Sequence, residues 1–339
     1  MPKSDYLKSI LSFHSQFKQS HKEASNLNII DDYSDSADII IAGMGGSSFG
    51  GRVLKAAFSE DELTIPVSIL SDYNLPNYAD EKTLVIVTSY SGNTEEAISI
   101  LHQSKSKGCK IVAITSGGKL KNAIESGGIP GYIFDTKDNP SGSPRTGIGY
   151  IIGSTLGIMS SLKFIDYNMA SAEKTAKFIQ SFSSLLAKPN SLSNRIAQNL
   201  DGKIPVFISA EHLTCASYIS RNFLNETAKM VGFTLEIPDM NHHSLDGLLF
   251  PSYLKFQLKF VYFISSLYGE QIVKRFEITS EITKRQGFED ITIKLGAKNK
   301  LDEIFEVIII GSLMSYNLAI SKSVDPSTNE MVDFLKSKL

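Results

Sequence analysis

The chain has 339 residues, with 34 basic and 36 acidic side chains, a formal net charge of -2 and 42% hydrophobic residues. Such a length suggests about two domains, and a near-neutral charge without a block of five or more like charges argues against nucleic acid or a membrane surface as the main partner. Two distant cysteines, Cys109 and Cys215, give neither a disulfide framework nor a zinc-ligand spacing, as expected of a protein of the reducing cytoplasm.

The N-terminal stretch MPKSDYLKSILSFHSQFKQSHKEA is polar and helix-periodic, unlike a signal peptide. From residue 37, short apolar runs at 37–42, 65–70, 84–88, 110–115 and 131–135 alternate with helical patterns. The runs do not alternate strictly, which is the pattern of strands covered by helices on both faces of a parallel sheet. The predicted fold class is therefore α/β, beginning with a doubly wound parallel sheet of five strands.

Two strand-to-helix turns carry the chemistry. Run 37–42 passes into Gly43-Met44-Gly45-Gly46-Ser47-Ser48-Phe49-Gly50-Gly51, and run 84–88 into Ser89-Tyr90-Ser91-Gly92-Asn93-Thr94-Glu95. Glycine lets the backbone turn sharply and approach a ligand. Hydroxyls and free N–H groups at the start of a helix offer donors to an anion, phosphate above all. One such turn is no more than a doubly wound fold needs; two enriched in hydroxyls favour a phosphate site. Neither has the form GxxxxGK[ST]. The first departs from GxGxxG at its last position and Asp72 follows the next strand, so on these residues alone a dinucleotide stays open.

Segment 136–145, rich in Pro, Gly and Ser, reads as a loop ending at Arg145, with helical patterns over 150–167 and 170–186 after it. A second α/β pattern follows, with strands predicted at 204–210, 234–238, 258–265 and 290–294, the third readable equally as a buried helix. Helices are predicted at 216–230, 271–285, 301–320 and 329–338. Internal sequence repetition is weak, so the reading is two similar domains, 1–155 and 156–339, rather than a repeat array. The apolar run 305–314 is about half the length needed to cross a bilayer.

Taken singly, the remaining polar residues are bland. Arg145 reads as a solvated or ion-paired surface group, and Glu226 as an exposed helix carboxylate pairing with Lys229 at i+3. His242 reads as an ordinary loop histidine; two adjacent histidines, His242 and His243, do not face one metal centre. Lys336 reads as a solvated lysine.

In order and spacing, however, IAGMGGSSFGG, VTSYSGNTEEA, ITSGGKL, SPRTGIGY, LNETAK and IPDMNHH resemble the bifunctional phosphoglucose/phosphomannose isomerases of archaea and bacteria, which have two sugar isomerase (SIS) domains. The resemblance covers nearly the whole chain. It implies that Ser47, Ser89, Ser91 and Thr94 hold the phosphate of a hexose 6-phosphate, with Gly46 and Gly92 giving close backbone approach. It further implies that Glu226 moves a proton between C1 and C2, that Arg145 stabilises the enediolate, and that His242 opens the sugar ring. Lys336 would assist that opening, with Lys322 and Lys338 less favoured.

The implied reaction is aldose–ketose isomerisation of glucose 6-phosphate and fructose 6-phosphate, with mannose 6-phosphate as a second substrate and no metal or organic cofactor. The implied assembly is a homodimer, which the apolar helix 301–320 suits and in which His242 serves the neighbouring site. An aminosugar-phosphate isomerase or a noncatalytic sugar-phosphate-binding regulator would share the phosphate turns. Glu226 and the stretch Pro238-Asp239-Met240-Asn241-His242-His243 favour the phosphohexose isomerase over both. Where many relatives read Asn-His-Asn-Glu, this chain has Asn241-His242-His243-Ser244. The change removes an acidic neighbour that would bear on the tautomer of His242.

Overall fold

The computed structural model describes residues 3–29, 31–59 and 61–338. The chain forms two compact units, Leu11–Gln180 and Met1–Ile10 with Ser181–Leu339. The division falls after Gln180, later than the break at 155/156 read from the sequence.

In chain order, α1 (Lys3–Leu11) and α2 (Phe13–Ala24) precede β1 (Asp38–Ala42), α3 (Phe49–Ala57), β2 (Val67–Leu70), β3 (Thr83–Ser89), α4 (Glu95–Ser106), β4 (Lys110–Thr115), α5 (Gly118–Glu125), β5 (Gly131–Ile133), α6 (Ile148–Ser161) and α7 (Met169–Leu186). All five strands predicted for the first half form. They lie parallel in the order β2-β1-β3-β4-β5, with Ile39 paired to Leu84 and Ile41 to Ile86.

Side chains alternate across this sheet. Ile40, Val85 and Val87 pack with Ile100, Leu101 and Leu120 of α4 and α5, while Ile39, Ile41 and Ile86 on the other face are equally buried. Burial on both faces is why the strands read as unbroken apolar runs. The chain leaves β1 toward β2 on one side, whereas β3 leads toward β4 on the other. The β1/β3 boundary is thus a topological switch point, where ligands of open α/β sheets bind at the carboxyl ends of the strands.

α6 belongs with this unit because its glycine-lined face meets α2. A Cβ added to Gly149, Gly153 or Gly157 would fall 2.6, 2.4 and 2.7 Å from the carbonyl oxygens of Phe13, Phe17 and His21. The helix ends at Ser161, short of the predicted 167. Lys163 takes a left-handed φ of 62°, and the N–H of Phe164 bonds back to the carbonyl of Met159 at 2.9 Å, which closes the helix in the manner of a Schellman cap.

The second unit continues with α8 (Leu192–Leu200), β6 (Ile204–Ala210), α9 (Leu213–Thr227), β7 (Phe233–Ile237), α10 (Ser244–Gly247), α11 (Leu254–Gln257), β8 (Leu258–Ile264), α12 (Glu270–Arg285), β9 (Glu289–Lys294), α13 (Lys300–Ser321) and α14 (Glu330–Lys336). Its parallel sheet runs β7-β6-β8-β9, which repeats the first four positions of the other sheet. The ambiguous run 258–265 is a strand, paired with both β6 and β9. It lacked a readable period because Phe260, Val261, Tyr262 and Phe263 are all buried.

α13 is 22 residues long, more than twice the apolar run first noted, and is long and apolar enough by length and composition to cross a membrane. It is instead mostly buried in its own unit, packed against α8 and α9. A Cβ on Gly311 would lie 2.3 Å from the hydroxyl of Ser220. The apolarity expected to serve a subunit interface is therefore satisfied within the unit.

Candidate active site

The two hydroxyl-rich turns leave the carboxyl ends of the neighbouring strands β1 and β3 and are bonded to each other. After β1, residues Gly45–Ser48 form a single 3-10 turn before α3. The residue that needs glycine's freedom is Gly45, with φ of 50°. At Gly46 an added Cβ would meet nothing nearer than 3.9 Å, so the fold itself leaves space there. The Ser47 hydroxyl accepts the backbone N–H of Tyr90, the first residue beyond β3, at 3.2 Å.

In the second turn Ser89 is fully buried. Its hydroxyl accepts the N–H of Gly92 at 3.0 Å and lies 2.8 Å from the Thr94 hydroxyl. Ser89 therefore braces the turn from below, while Ser91 is exposed and Ser47 and Thr94 are half-buried at the surface. Thr94 is the N-cap of α4, and no side chain caps that helix start. Helix N-termini with free donors favour anions. Gly92 has φ of 70°, and a Cβ on it would fall 1.7 Å from the carbonyl oxygen of Gly117.

That oxygen belongs to the third motif, ITSGGKL, which supports the second turn. Ser116 donates both its hydroxyl, at 2.7 Å, and its N–H to the carbonyl of Tyr90.

Arg145 stands beside both turns. It lies in the 3-10 turn Pro144–Gly147, and at 5% exposure it is buried, which corrects its reading as a surface group. The loop before it is fastened at several points. Asn139 donates to the Tyr90 phenol at 2.7 Å, Thr146 donates to Asn139 Oδ1 at 2.8 Å, and Gln16 donates to the carbonyls of Asp138 and Thr146. A Cβ on Gly147 would lie 2.3 Å from the Tyr90 ring, and one on Gly46 would lie 4.0 Å from the carbonyl of Pro144. Burial keeps the Tyr90 phenol above its ordinary range against the opposing pull of Asn139, so Tyr90 acts as a neutral strut. Asp72, which had kept a dinucleotide reading open, gives its carboxylate to the N–H groups of Tyr73 and Asn74.

In the second unit Glu226 is the penultimate residue of α9 and half-buried. It lines a cleft of about 880 Å³ with Lys229, Asp325, Asn329, Glu330 and Met331, among others. The Asn329 amide donates to Glu226 Oε2 at 3.4 Å, and the Lys229 ammonium donates to the backbone carbonyls of Glu226 and Thr328.

His242 ends the 3-10 turn Asp239–His242 and is exposed; its ring makes no hydrogen bond or ion pair among the described residues. Its neighbours fix the loop. Asn241 donates to Thr279 at 2.8 Å and accepts from Arg275 at 3.4 Å, Met240 is buried, and His243 lies 3.2 Å from Asp239 and 2.9 Å from the Ser244 hydroxyl.

Lys336 is the last residue of α14 and exposed. Of the less favoured lysines, Lys322 is bound to Asp201, whose carboxyl it holds below the usual range, and Lys338 sits 5.6 Å from the centre of the Phe334 ring.

The first unit thus gathers Gly46, Ser47, Ser89, Ser91, Gly92, Thr94 and Arg145, and the second sets Glu226 against the C-terminal segment. His242 and Lys336 do not line the Glu226 cleft. Sequence reasoning missed the Tyr90–Asn139 strut and the Asn329 contact. Asn329 directly before Glu330-Met331-Val332-Asp333 carried a readable N-cap signal.

Residues 190–339 match the family described as bacterial phospho-glucose isomerase C-terminal SIS domain, and residues 32–123 match the SIS domain. The chain is 30% identical to the bifunctional phosphoglucose/phosphomannose isomerase of Caldicellulosiruptor bescii over 98% of both chains. It is 31% identical to that of Thermoplasma acidophilum over 89% of this chain and 90% of the other. Among solved structures, a hypothetical protein from Thermus thermophilus shares the fold with a TM-score of 0.76 at 16% identity, covering 97% of this chain and 90% of that one. On the two full-length relatives and the two SIS matches, the chain belongs to the bifunctional phosphoglucose/phosphomannose isomerase family.

Proposed function

We propose that the chain interconverts glucose 6-phosphate and fructose 6-phosphate, and mannose 6-phosphate with the same ketose, through a cis-enediolate. The observation that carries this is the pair of hydroxyl-rich turns at the β1/β3 switch point with the buried Arg145 loop fastened beside them. The donors in those turns are neutral, so the phosphate is held by OH and N–H groups and the start of α4.

His242, assisted by Lys336, takes the proton of the C1 hydroxyl and delivers one to the ring oxygen, which opens the hemiacetal. Glu226 removes the C2 proton, and the released electron pair moves through the new C1–C2 double bond onto the carbonyl oxygen. Arg145 is suited to that negative charge because a fixed guanidinium meets it only as it develops. The proton on O2 passes to O1, Glu226 returns its proton to C1, and the ketose results. For mannose 6-phosphate the open chain turns about C2–C3 to offer the other face to the same base. Phosphate binding positions the reacting carbons, so the turns contribute to turnover as well as affinity.

A homodimer in which His242 serves the neighbouring subunit accompanies this reading. It is supported by the exposed His242 and by exposed Leu249, Phe250, Tyr253 and Phe256 soon after it. Full activity from a species that scatters light as a monomer would sink it. Work in the cytoplasm suits two free cysteines.

A coupled assay on both aldoses, with Glu226→Gln and His242→Ala beside the parent, tests the assignment. The parent isomerises at least glucose 6-phosphate, Glu226→Gln loses about three orders of magnitude in rate, and His242→Ala loses rate on the closed sugar. A parent inactive on both sugars overturns the function; a near-parental Glu226→Gln overturns the base.

A further inference from the structure

Glu226 is not held by its own helix alone. The chain leaves α9 through Lys229, whose φ of 54° is uncommon for a residue other than glycine. From that position the Lys229 ammonium donates at once to the carbonyl of Glu226 and to that of Thr328. It ties the end of α9 to a segment about a hundred residues later in the chain. That segment has its own internal lock: Asp325 accepts the N–H of Ser327 at 2.8 Å and its hydroxyl at 2.6 Å. The residue after Thr328 is Asn329, the N-cap of α14, whose amide reaches Glu226 Oε2.

We propose that Asn329 is a positioning residue for the isomerase base: its amide holds one carboxylate oxygen of Glu226, and the Lys229 bridge to Thr328 keeps that amide within reach. This rests on the reading of Glu226 as the base. The carboxylate must serve C1 and C2 in turn, and one that swings between rotamers loses the effective concentration that makes each transfer fast. A contact of 3.4 Å is long, and catalytic hydrogen bonds of unliganded enzymes commonly tighten when substrate binds.

A neutral amide can orient a carboxylate at little cost to its basicity, because it adds no charge that favours the ionised form. The Lys229 ammonium reaches main-chain carbonyls. The other titratable groups lining the cleft are Asp325 and Glu330. The hydroxyl and N–H of Ser327 keep the Asp325 carboxyl below its usual range.

The test separates the hydrogen bond from the helix cap. The Asn329 side chain makes no cap bond to α14, and Asn329→Ser and Asn329→Asp both place a residue suited to an N-cap position, but serine is too short to reach Glu226 and aspartate replaces the donor with a like charge. Both variants keep the parental Tm and a KM within about twofold, while kcat falls about tenfold. The acidic limb of the kcat–pH profile moves to higher pH, further for aspartate than for serine. Lys229→Gly, which accepts the left-handed backbone but lacks the ammonium, lowers kcat in the same way. Parental kcat and an unmoved acidic limb in both Asn329 variants overturn the proposal while Glu226→Gln remains inactive. If Glu226→Gln itself keeps near-parental rate, the base assignment has failed and the proposal falls with it.

Discussion

The Ser89 and Thr94 hydroxyls lie 2.8 Å apart, one fully buried at the end of β3 and the other at the N-cap of α4. Together with the N–H of Gly92 on Ser89, this pair fixes the shape of the turn before any ligand arrives. Ser91, two residues along, is exposed and makes one long internal bond, from the N–H of Asn93 at 3.3 Å.

The two serines should therefore fail differently. Ser89→Ala removes a buried hydrogen-bonding group and costs about 1 kcal/mol of stability, and it lowers kcat as well as affinity because the turn loses its form. Ser91→Ala leaves the urea midpoint unchanged and raises KM for fructose 6-phosphate about tenfold, the loss of one hydrogen bond to a charged group. Urea unfolding beside steady-state kinetics checks both. Equal stability in the two variants would falsify the division of labour.

The contrast shows what the sequence made legible. Strands were readable because runs such as Ile39-Ile40-Ile41 and Leu84-Val85-Ile86-Val87 sit between turn signals and are buried on both faces. The turns were readable because their residue types carry the chemistry locally. The place of the whole of α6 in the first unit was not, because it depends on Gly149, Gly153 and Gly157 meeting backbone oxygens of α2, more than a hundred residues earlier. The inward role of Ser89 was hidden too, since serine is spelled alike whether it faces a ligand or the chain. Contacts such as Asn329 on Glu226, 103 residues apart, have no local signature beyond a helix cap.

His21 gives the α2/α6 layer a pH dependence. Burial pushes its imidazole below the ordinary histidine range, against a smaller opposing pull from its hydrogen bond to the carbonyl of Tyr167. Nε2 lies 3.2 Å from that carbonyl, while Nδ1 is buried with no hydrogen-bond partner among the described residues. As pH falls, the unfolded chain takes the proton first, at about pH 6.5. The stabilisation present above that pH is lost as pH falls toward the lower folded value. Each unit of depression corresponds to about 1.4 kcal/mol. Urea midpoints should fall between about pH 7.5 and about pH 5 in the parent, and less steeply in His21→Phe, which keeps the ring packing on Phe17 and Tyr167. His14 is lowered by burial as well and remains in both proteins, so the difference in slope isolates His21. Parallel slopes would rule it out.

The proposed phosphate cradle belongs to one sheet, and the repeated architecture shows what stands at the matching place of the other. In the second unit β6 and β8 occupy the places of β1 and β3, yet His212 follows β6 and Ser265 follows β8. Glu303, in the first turn of α13, fills the space between them: its Oε2 lies 2.7 Å from His212 Nε2, with both side chains at 2% exposure or less, and accepts the Ser265 hydroxyl at 2.5 Å. A carboxylate placed there repels a phosphate and satisfies the donors that an anion would otherwise take. The network is therefore structural, and its loss should be felt in stability rather than catalysis. Glu303→Ala leaves two buried polar partners unmatched and costs about 3 kcal/mol, while KM for fructose 6-phosphate stays within about twofold at temperatures where the variant is folded. Glu303→Gln, which keeps the shape and one acceptor, costs about half as much. Thermal and urea unfolding set beside KM decide the matter. A Glu303→Ala protein with the parental midpoint, or one whose KM rises as the Ser91→Ala value does, would show that the second switch point takes part in binding after all.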